Sequence, residues 1–417
     1  MLQHVTDAAH VSDVAAGQPP ALPSIRVPMS GRDPNEAHRA ATPLELLFDL
    51  SFVVAVAQAA NMLHHALADG DVAYGLGMYF IVFFIVWWPW VNFTWFASAY
   101  DTDDVSYRLL TFVQIAGVLI VAAGVPRVFE EFDFTITVTG YVVMRTALVA
   151  LWLRAAREDP IGRRVAQRFA VAIGLIQLIW IARLAIGPPA AIFLILGFGV
   201  VELVIPWWAE RSGRHTPWHP GHIAERYGLF TIIVLGECIL AASTTIQIAL
   251  DASGPTLALI AISVGGLAMV FAMWWAYFKV DAVIGRLTEL RWQLAWGYGH
   301  LIIFGAVAGL GAGLQVAVDA VTDPEHVPAL TAALSVAVPV AIYLVAIGVL
   351  HRRGRPWREV ASLGLTAVLA LAIALAAVAI GVPVAVLAIG ALTVGVVAWH
   401  VLAPSRVRVP RPEVSAR

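Results

Sequence analysis

What most constrains this chain is a recurrence: apolar runs of about 20 residues, each long enough to cross a bilayer as a helix, follow one another almost without interruption. They fall at roughly 44–66, 74–99, 108–126, 135–156, 165–187 and 189–209, then at roughly 223–250, 255–279, 292–318, 327–350, 359–380 and 383–402. Twelve spans result, and Pro188-Pro189 and Gly381-Val382-Pro383 are the weakest separators, so ten or eleven are the alternatives. Composition agrees, because 60% hydrophobic and 13% charged residues with a mean hydropathy of +0.81 lie far from a soluble domain, at about 45–50% apolar and 25% charged. The fold class expected is an all-α integral membrane protein whose exterior is solvated by lipid, leaving the polar interior to be explained.

Of the 26 Lys and Arg residues, 23 fall in the alternate loops that include the N-terminal segment. Arg127 alone falls in the opposite set, and Arg145 and Arg183 lie inside spans. Cytoplasmic loops retain basic residues, so both termini are expected on the cytoplasmic side of the membrane. Residues 1–41 hold Pro19, Pro20, Pro23, Pro28 and Pro34 without a continuous apolar stretch, which reads as a disordered cytoplasmic tail rather than a signal peptide. Residues 403–417 read as a second tail. Matches at a constant offset (Glu45 with Glu225, Trp95 with Trp275, Asp101 with Asp281) suggest two parallel six-span halves, 42–209 and 223–402, joined by a cytoplasmic loop over 210–222. The single Cys238 excludes an internal disulfide and a cysteine-built metal site. A net charge of −2 says little about partners. The bilayer and an unidentified small molecule or ion are expected, nucleic acid is not, and a homo-oligomer is left open.

Charges inside the spans are the candidate functional residues, since a carboxylate within hydrocarbon costs on the order of 2–3 kcal/mol on insertion scales. Span 1 carries Glu45 and Asp49 on one face and Gln58 and Asn61 on the other, so both faces are expected to meet polar neighbours or a solvated site. Arg145 sits about 10 residues from either end of span 4, too deep to snorkel, and needs an acidic partner. Glu237 lies at a similar depth, about 18 Å into span 7, and is the partner expected. Glu202 and His300 fall in the inner halves of spans 6 and 9. With an unperturbed pKa of about 6.5, His300 could relay protons or act as a hydrogen-bonded packing residue. Arg183, near the outer end of span 5, is expected to snorkel.

Two loops add further candidates. After an aromatic run around Trp87, Trp88, Trp90 and Trp95, expected to anchor at the interface, come Asp101, Asp103, Asp104 and Arg108. The acids read as caps of the next helix, a cation site or a gating pair with Arg108. In HTPWHPGHIAER, His215, His219, His222 and Glu225 precede Arg226. Glu225 and Arg226 join the cytoplasmic charge cluster, and His219, His222 and Glu225 could take a divalent ion, although the loop also reads as a helix start. No other cofactor is expected.

Taken together these motifs resemble the bacterial low temperature requirement protein A family of multipass membrane proteins. The residues that carry it are Glu45-Leu-Leu-Phe48-Asp49-Leu-Ser-Phe52, Thr94-Trp95-Phe96 with Asp101-Thr102-Asp103-Asp104 and Arg108, and Tyr141-Val-Val-Met-Arg145 with Trp152-Leu-Arg154-Ala155. His219-Pro-Gly-His222-Ile-Ala-Glu225-Arg226-Tyr227-Gly228-Leu229-Phe230 with Leu235-Gly236-Glu237 is the most specific part, and Trp274-Trp275-Ala-Tyr277-Phe278 and His300 with Gly305 continue it. It covers about residues 42–310, with Ser51 and Cys238 as mild departures. The resemblance implies a link to growth in the cold and assigns no substrate.

Several buried charges in one bundle favour a secondary transporter or permease, with a site between the halves near Arg145 and Glu237 and proton coupling through Asp49, Glu202, Glu237 or His300. Buried arginine inclines the substrate toward a small anion or carboxylate. A cation channel is the alternative, since an acidic first helix repeated after six spans resembles the lysosomal potassium channel family. Phe48-Asp49-Leu50 lacks that family's serine. A membrane enzyme using the HPGH loop, without a strong catalytic signature, and a nontransporting organiser complete the alternatives.

Overall fold

The computed structural model describes residues 25–36, 39–187, 190–211, 215–279, 289–352 and 355–402. Among them the regular structure is helical throughout: α1 (Pro43–Ala68), α2 (Val72–Tyr100), α3 (Val105–Glu131), α4 (Thr135–Glu158), α5 (Arg163–Arg183), α6 (Ala190–Glu210), α7 (Pro220–Ser253), α8 (Leu257–Phe278), α9 (Leu290–Thr322), α10 (Ala329–Leu350), α11 (Trp357–Ile380) and α12 (Val382–Leu402). All twelve are long and apolar enough to cross a membrane. The weak separator at Gly381 is a true break, since its φ of +86° ends α11 and α12 starts at the next residue. Pro188-Pro189 and Asp281 lie outside the described residues.

Local chemistry sets the helix starts. Thr42 caps α1, its hydroxyl accepting from the Glu45 N–H while the Glu45 carboxylate accepts from the Thr42 N–H, with Pro43 at the first helical position. Asp104 caps α3 and Thr256 caps α8 through their side-chain oxygens.

Neighbour relations recur along the chain. Helix α1 packs on α2 and α3, α3 on α4, α4 on α5 and α5 on α6; α7 repeats this with α8 and α9, α9 with α10, α10 with α11 and α11 with α12. The second set is closed more tightly, with α8 and α12 in contact along much of their length where α2 barely touches α6. Glycines permit the closest approaches: a Cβ on Gly265 of α8 would meet the Val386 carbonyl oxygen at 2.7 Å, and one on Gly390 of α12 the Gly265 oxygen at 2.6 Å. Between the sets, α1 and α2 face α7 and α9, and α9 is the most enclosed of the twelve helices.

Side-chain contacts sort the loops into two ends. Arg39, Asp101, Asp104, Arg154, Glu158 and His219 meet at one, and at the other His64 pairs with Asp319 at 2.5 Å and the Tyr74 hydroxyl donates to the Phe129 carbonyl at 2.7 Å. The described part of the N-terminal tail is not free, contrary to expectation. Val27 N–H donates to Asp104 at 2.8 Å, Met29 N–H to Glu158 at 2.7 Å and Arg32 N–H to the Ala99 carbonyl at 3.0 Å, and Met29 is fully buried. Prolines removed the periodicity without preventing an extended strap from finding backbone partners.

Candidate functional site

The polar centre of the molecule joins α1 to α7. Arg226, six residues beyond Pro220, aims its guanidinium at α1, where Nε and Nη2 meet the two oxygens of Asp49 at 2.7 and 2.5 Å. Its Nη1 lies 3.0 Å from Glu45 Oε1, an ion-pair distance without hydrogen-bond alignment. All three residues have zero exposure. The Trp90 indole donates to Asp49 Oδ1 at 2.7 Å, and Thr94 Oγ1 lies 3.4 Å from Arg226 Nη2. His222 Nε2 reaches Glu45 Oε2 at 3.2 Å. Glu45 therefore serves the first turn of its own helix and the docking of α7 with one carboxylate.

Toward the end of the bundle the network continues through the strap. Arg39, 6% exposed, donates to the Ala97 carbonyl at 2.7 Å and to the Ser98 carbonyl, and its Nη2 stands 3.9 Å from both Glu45 and Asp101. The three loop acids divide the roles that the sequence left as alternatives. Asp104 caps α3 and pairs with Arg154 at 2.5 Å, whereas Asp103 forms a half-exposed bidentate pair with Arg108 at 2.7 and 2.8 Å. Asp101, buried, accepts the Asp103 N–H at 2.9 Å. Burial alone would raise Asp104, but the Arg154 hydrogen bond and two backbone N–H groups hold its carboxyl down at about 2.

A second buried pair lies within the first six helices. Arg145 pairs with Glu202 of α6 at 2.9 Å, not with Glu237. The indoles of Trp88 and Trp180 donate to Glu202 at 2.5 and 3.2 Å, and Tyr141 stacks on the guanidinium at 5.0 Å. Depth points to Glu237 and sets Glu202 in the inner half of its span, but the side each helix turns inward decides: Glu202 is 1% exposed, while Glu237 is half-buried with no ion pair or hydrogen bond among the described residues. Arg145 Nε and Nη1 keep no hydrogen-bond partner there.

Other expectations are corrected by the same geometry. Asn61 is exposed, Gln58 half-buried, and neither has a polar partner among the described residues, so only the Glu45–Asp49 face of α1 looks inward. Trp87, Trp88 and Trp90 are buried rather than interfacial, because two of them are donors to buried carboxylates. Arg183 does not snorkel but stacks on Phe134 at 4.3 Å. His300 uses both nitrogens for packing, with Nδ1 2.9 Å from the Trp296 carbonyl and Nε2 3.0 Å from the Tyr277 hydroxyl. The divalent-ion set does not assemble: His219 caps α7, its Nδ1 accepting from His222 N–H and its Nε2 3.0 Å from the Glu36 carbonyl, while Glu225 makes no polar contact among the described residues. No group of three metal-ligating side chains occurs among those residues.

Arg226 is the residue whose importance sequence reasoning underrated. By sequence alone it joins the loop charges, and the signal that places it is the helix start at His219-Pro220, which sets Arg226 nearly two turns inside α7.

The model of the bacterial low temperature requirement A protein (LtrA) family matches residues 40–401, nearly the whole chain. The chain belongs to this family. The match to LtrA runs past the 42–310 stretch in which motifs were visible and takes in the last three spans. An uncharacterised protein of Rhizobium meliloti (strain 1021) is 29% identical over 281 residues, which covers 63% of this chain and 66% of that protein. Family and fold together make this LtrA chain a multipass membrane protein.

Proposed function

We propose that this LtrA protein is a secondary transporter or permease of a small solute in the bacterial inner membrane, with both termini cytoplasmic. The observation that carries the reading is the joint of Asp49, Glu45 and Arg226, zero percent exposed, between the first and second sets of six helices. A bundle that only had to stay folded would lose nothing by replacing such a pair with apolar residues of similar volume, and often gains stability from the exchange. Ionic partners on two separately packed helix sets are suited to a joint that opens and re-forms. In this reading the joint, braced by Arg39 and the strap, closes the cytoplasmic side of the route. A small anion or carboxylate-bearing solute is favoured, since Arg145 retains two donor atoms in the interior that have no partner among the described residues.

Purified protein in proteoliposomes under an imposed proton gradient tests this. Saturable solute movement, reduced in Asp49→Asn, is expected. A large unsaturable current would replace the reading with a channel, and neither flux nor current across a panel of small anions, cations and neutral metabolites would overturn it.

A further inference from the structure

The network between the strap, α1, the α2–α3 loop and α7 has an odd charge. Among the described residues its cations are Arg39 and Arg226, and its carboxyls are Glu45, Asp49 and Asp101, all five buried. His222 supplies no third cation, because among the described residues only Nε2 has a partner, at Glu45, while Nδ1 is buried without an acceptor there and would strand a second N–H. The remaining neighbours cancel in pairs: Arg32 with Glu36, Arg108 with Asp103. One carboxylate is therefore in excess, and an unmatched charge in such a site takes up a proton instead.

We infer that this network is a binding site for one exchangeable proton and that Asp101 carries it. Asp49 has a bidentate guanidinium and an indole donor. Glu45 has the Thr42 N–H, His222 and Arg226 Nη1 at 3.0 Å. Asp101 has one backbone N–H, and its nearest cation, Arg39, stands 3.9 Å away and is bonded to two carbonyls. The groups that face Asp101 are Arg32 and Arg39 from the strap, Glu45 from α1, Asp103 from its own loop, and Tyr107 and Arg108 from α3. The Tyr107 hydroxyl, fully buried, has no hydrogen-bond partner of its own among the described residues. Burial first, then the charge of Glu45, pushes the Asp101 carboxyl up to about 6, where cytoplasmic pH changes reach it.

Loss of the proton is felt at the joint. Arg39 Nη2 is equidistant, at 3.9 Å, from Asp101 and Glu45, so a newly charged Asp101 draws Arg39 from Glu45 and leaves Glu45 to Arg226 and His222 alone. That this proton is the coupling ion rests on the transport reading; that it binds at Asp101 does not.

Infrared difference spectra of the purified full chain, titrated from acid to neutral pH, read the site without any solute. One buried protonated-carboxyl band that vanishes with a midpoint near 6 is expected in the wild type. It should be lost in Asp101→Asn, kept in Asp103→Asn, and moved to higher pH in Arg39→Gln, which removes a cation while keeping Asp101. Absence of a titrating band in the wild type, its survival in Asp101→Asn, or an unmoved midpoint in Arg39→Gln each overturns the site. In proteoliposomes, Asp101→Asn should carry solute without proton movement, and proton coupling that survives in it overturns the role. A wild type that moves no solute yet shows the band sinks transport alone.

Discussion

Asp49 shows how much one side chain in a membrane interior demands of its neighbours: two nitrogens of one guanidinium and an indole N–H, all between 2.5 and 2.7 Å. Arg226→Met strands both Asp49 and Glu45 and should cost about 3–5 kcal/mol, whereas Asp49→Asn leaves Arg226 its ion pair with Glu45 at 3.0 Å and should cost less. The double variant Asp49→Asn with Arg226→Met should cost clearly less than the sum, and thermal unfolding in detergent measures this. At this scale the sequence gives the charges away and hides their partners. Asp49, Arg145, Glu202 and His300 stand out because each interrupts an apolar run. Which glutamate meets Arg145 depends on the rotation of α6 and α7 about their axes, a tertiary property that depth along a helix does not carry. Depth favours Glu237, yet it is α6 that turns its carboxylate inward, where Trp88 and Trp180 donate to Glu202.

At the scale of elements, run length alone located all twelve helices, because a membrane span must satisfy its backbone within itself. It missed their true ends, as at α7, which begins at Pro220, three residues before the apolar run that marked it. The spacing of glycines on α9 separates two uses of one residue. A Cβ on Gly313 would meet the Ser335 carbonyl oxygen of α10 at 2.0 Å, whereas one on Gly305 would touch Phe83 at an ordinary 3.5 Å. Gly313→Ala should therefore force α9 from α10 at about 1–3 kcal/mol, and Gly305→Ala should be near neutral, both read as changes in Tm. The strap gives a test with a defined pH sign. Asp104, folded at about 2 against 3.8 in a free chain, contributes stability that is complete above 3.8 and lost as pH falls toward 2. Asp104→Asn should remove that dependence and speed limited proteolysis at Arg26 and Arg32 relative to the wild type, whose strap Asp104 holds through the Val27 and Arg154 contacts.

At the scale of the whole molecule, the orientation read from basic residues is open to a direct check. In a Cys238→Ser background, cysteines at Asp103 and Glu158 should be labelled only from the cytoplasmic side and cysteines at Glu131 and Glu325 only from the other, and the reverse pattern would invert the topology. The ion pairs between α1 and α7 also bear on how the chain is made. Asp49 and Arg226 are separated by 177 residues, so the first helix leaves the ribosome, and stands ready for the bilayer, long before its counter-charge exists. Trp90 arrives early but brings no charge. Nascent chains halted after α6 should accordingly hold α1 poorly in the membrane, visible as glycosylation or protease access at an introduced site, and should recover once synthesis passes Arg226. The order of synthesis thus sets a waiting period during which an insertase or a neighbouring lipid headgroup has to shelter an anion that the finished protein shelters by itself.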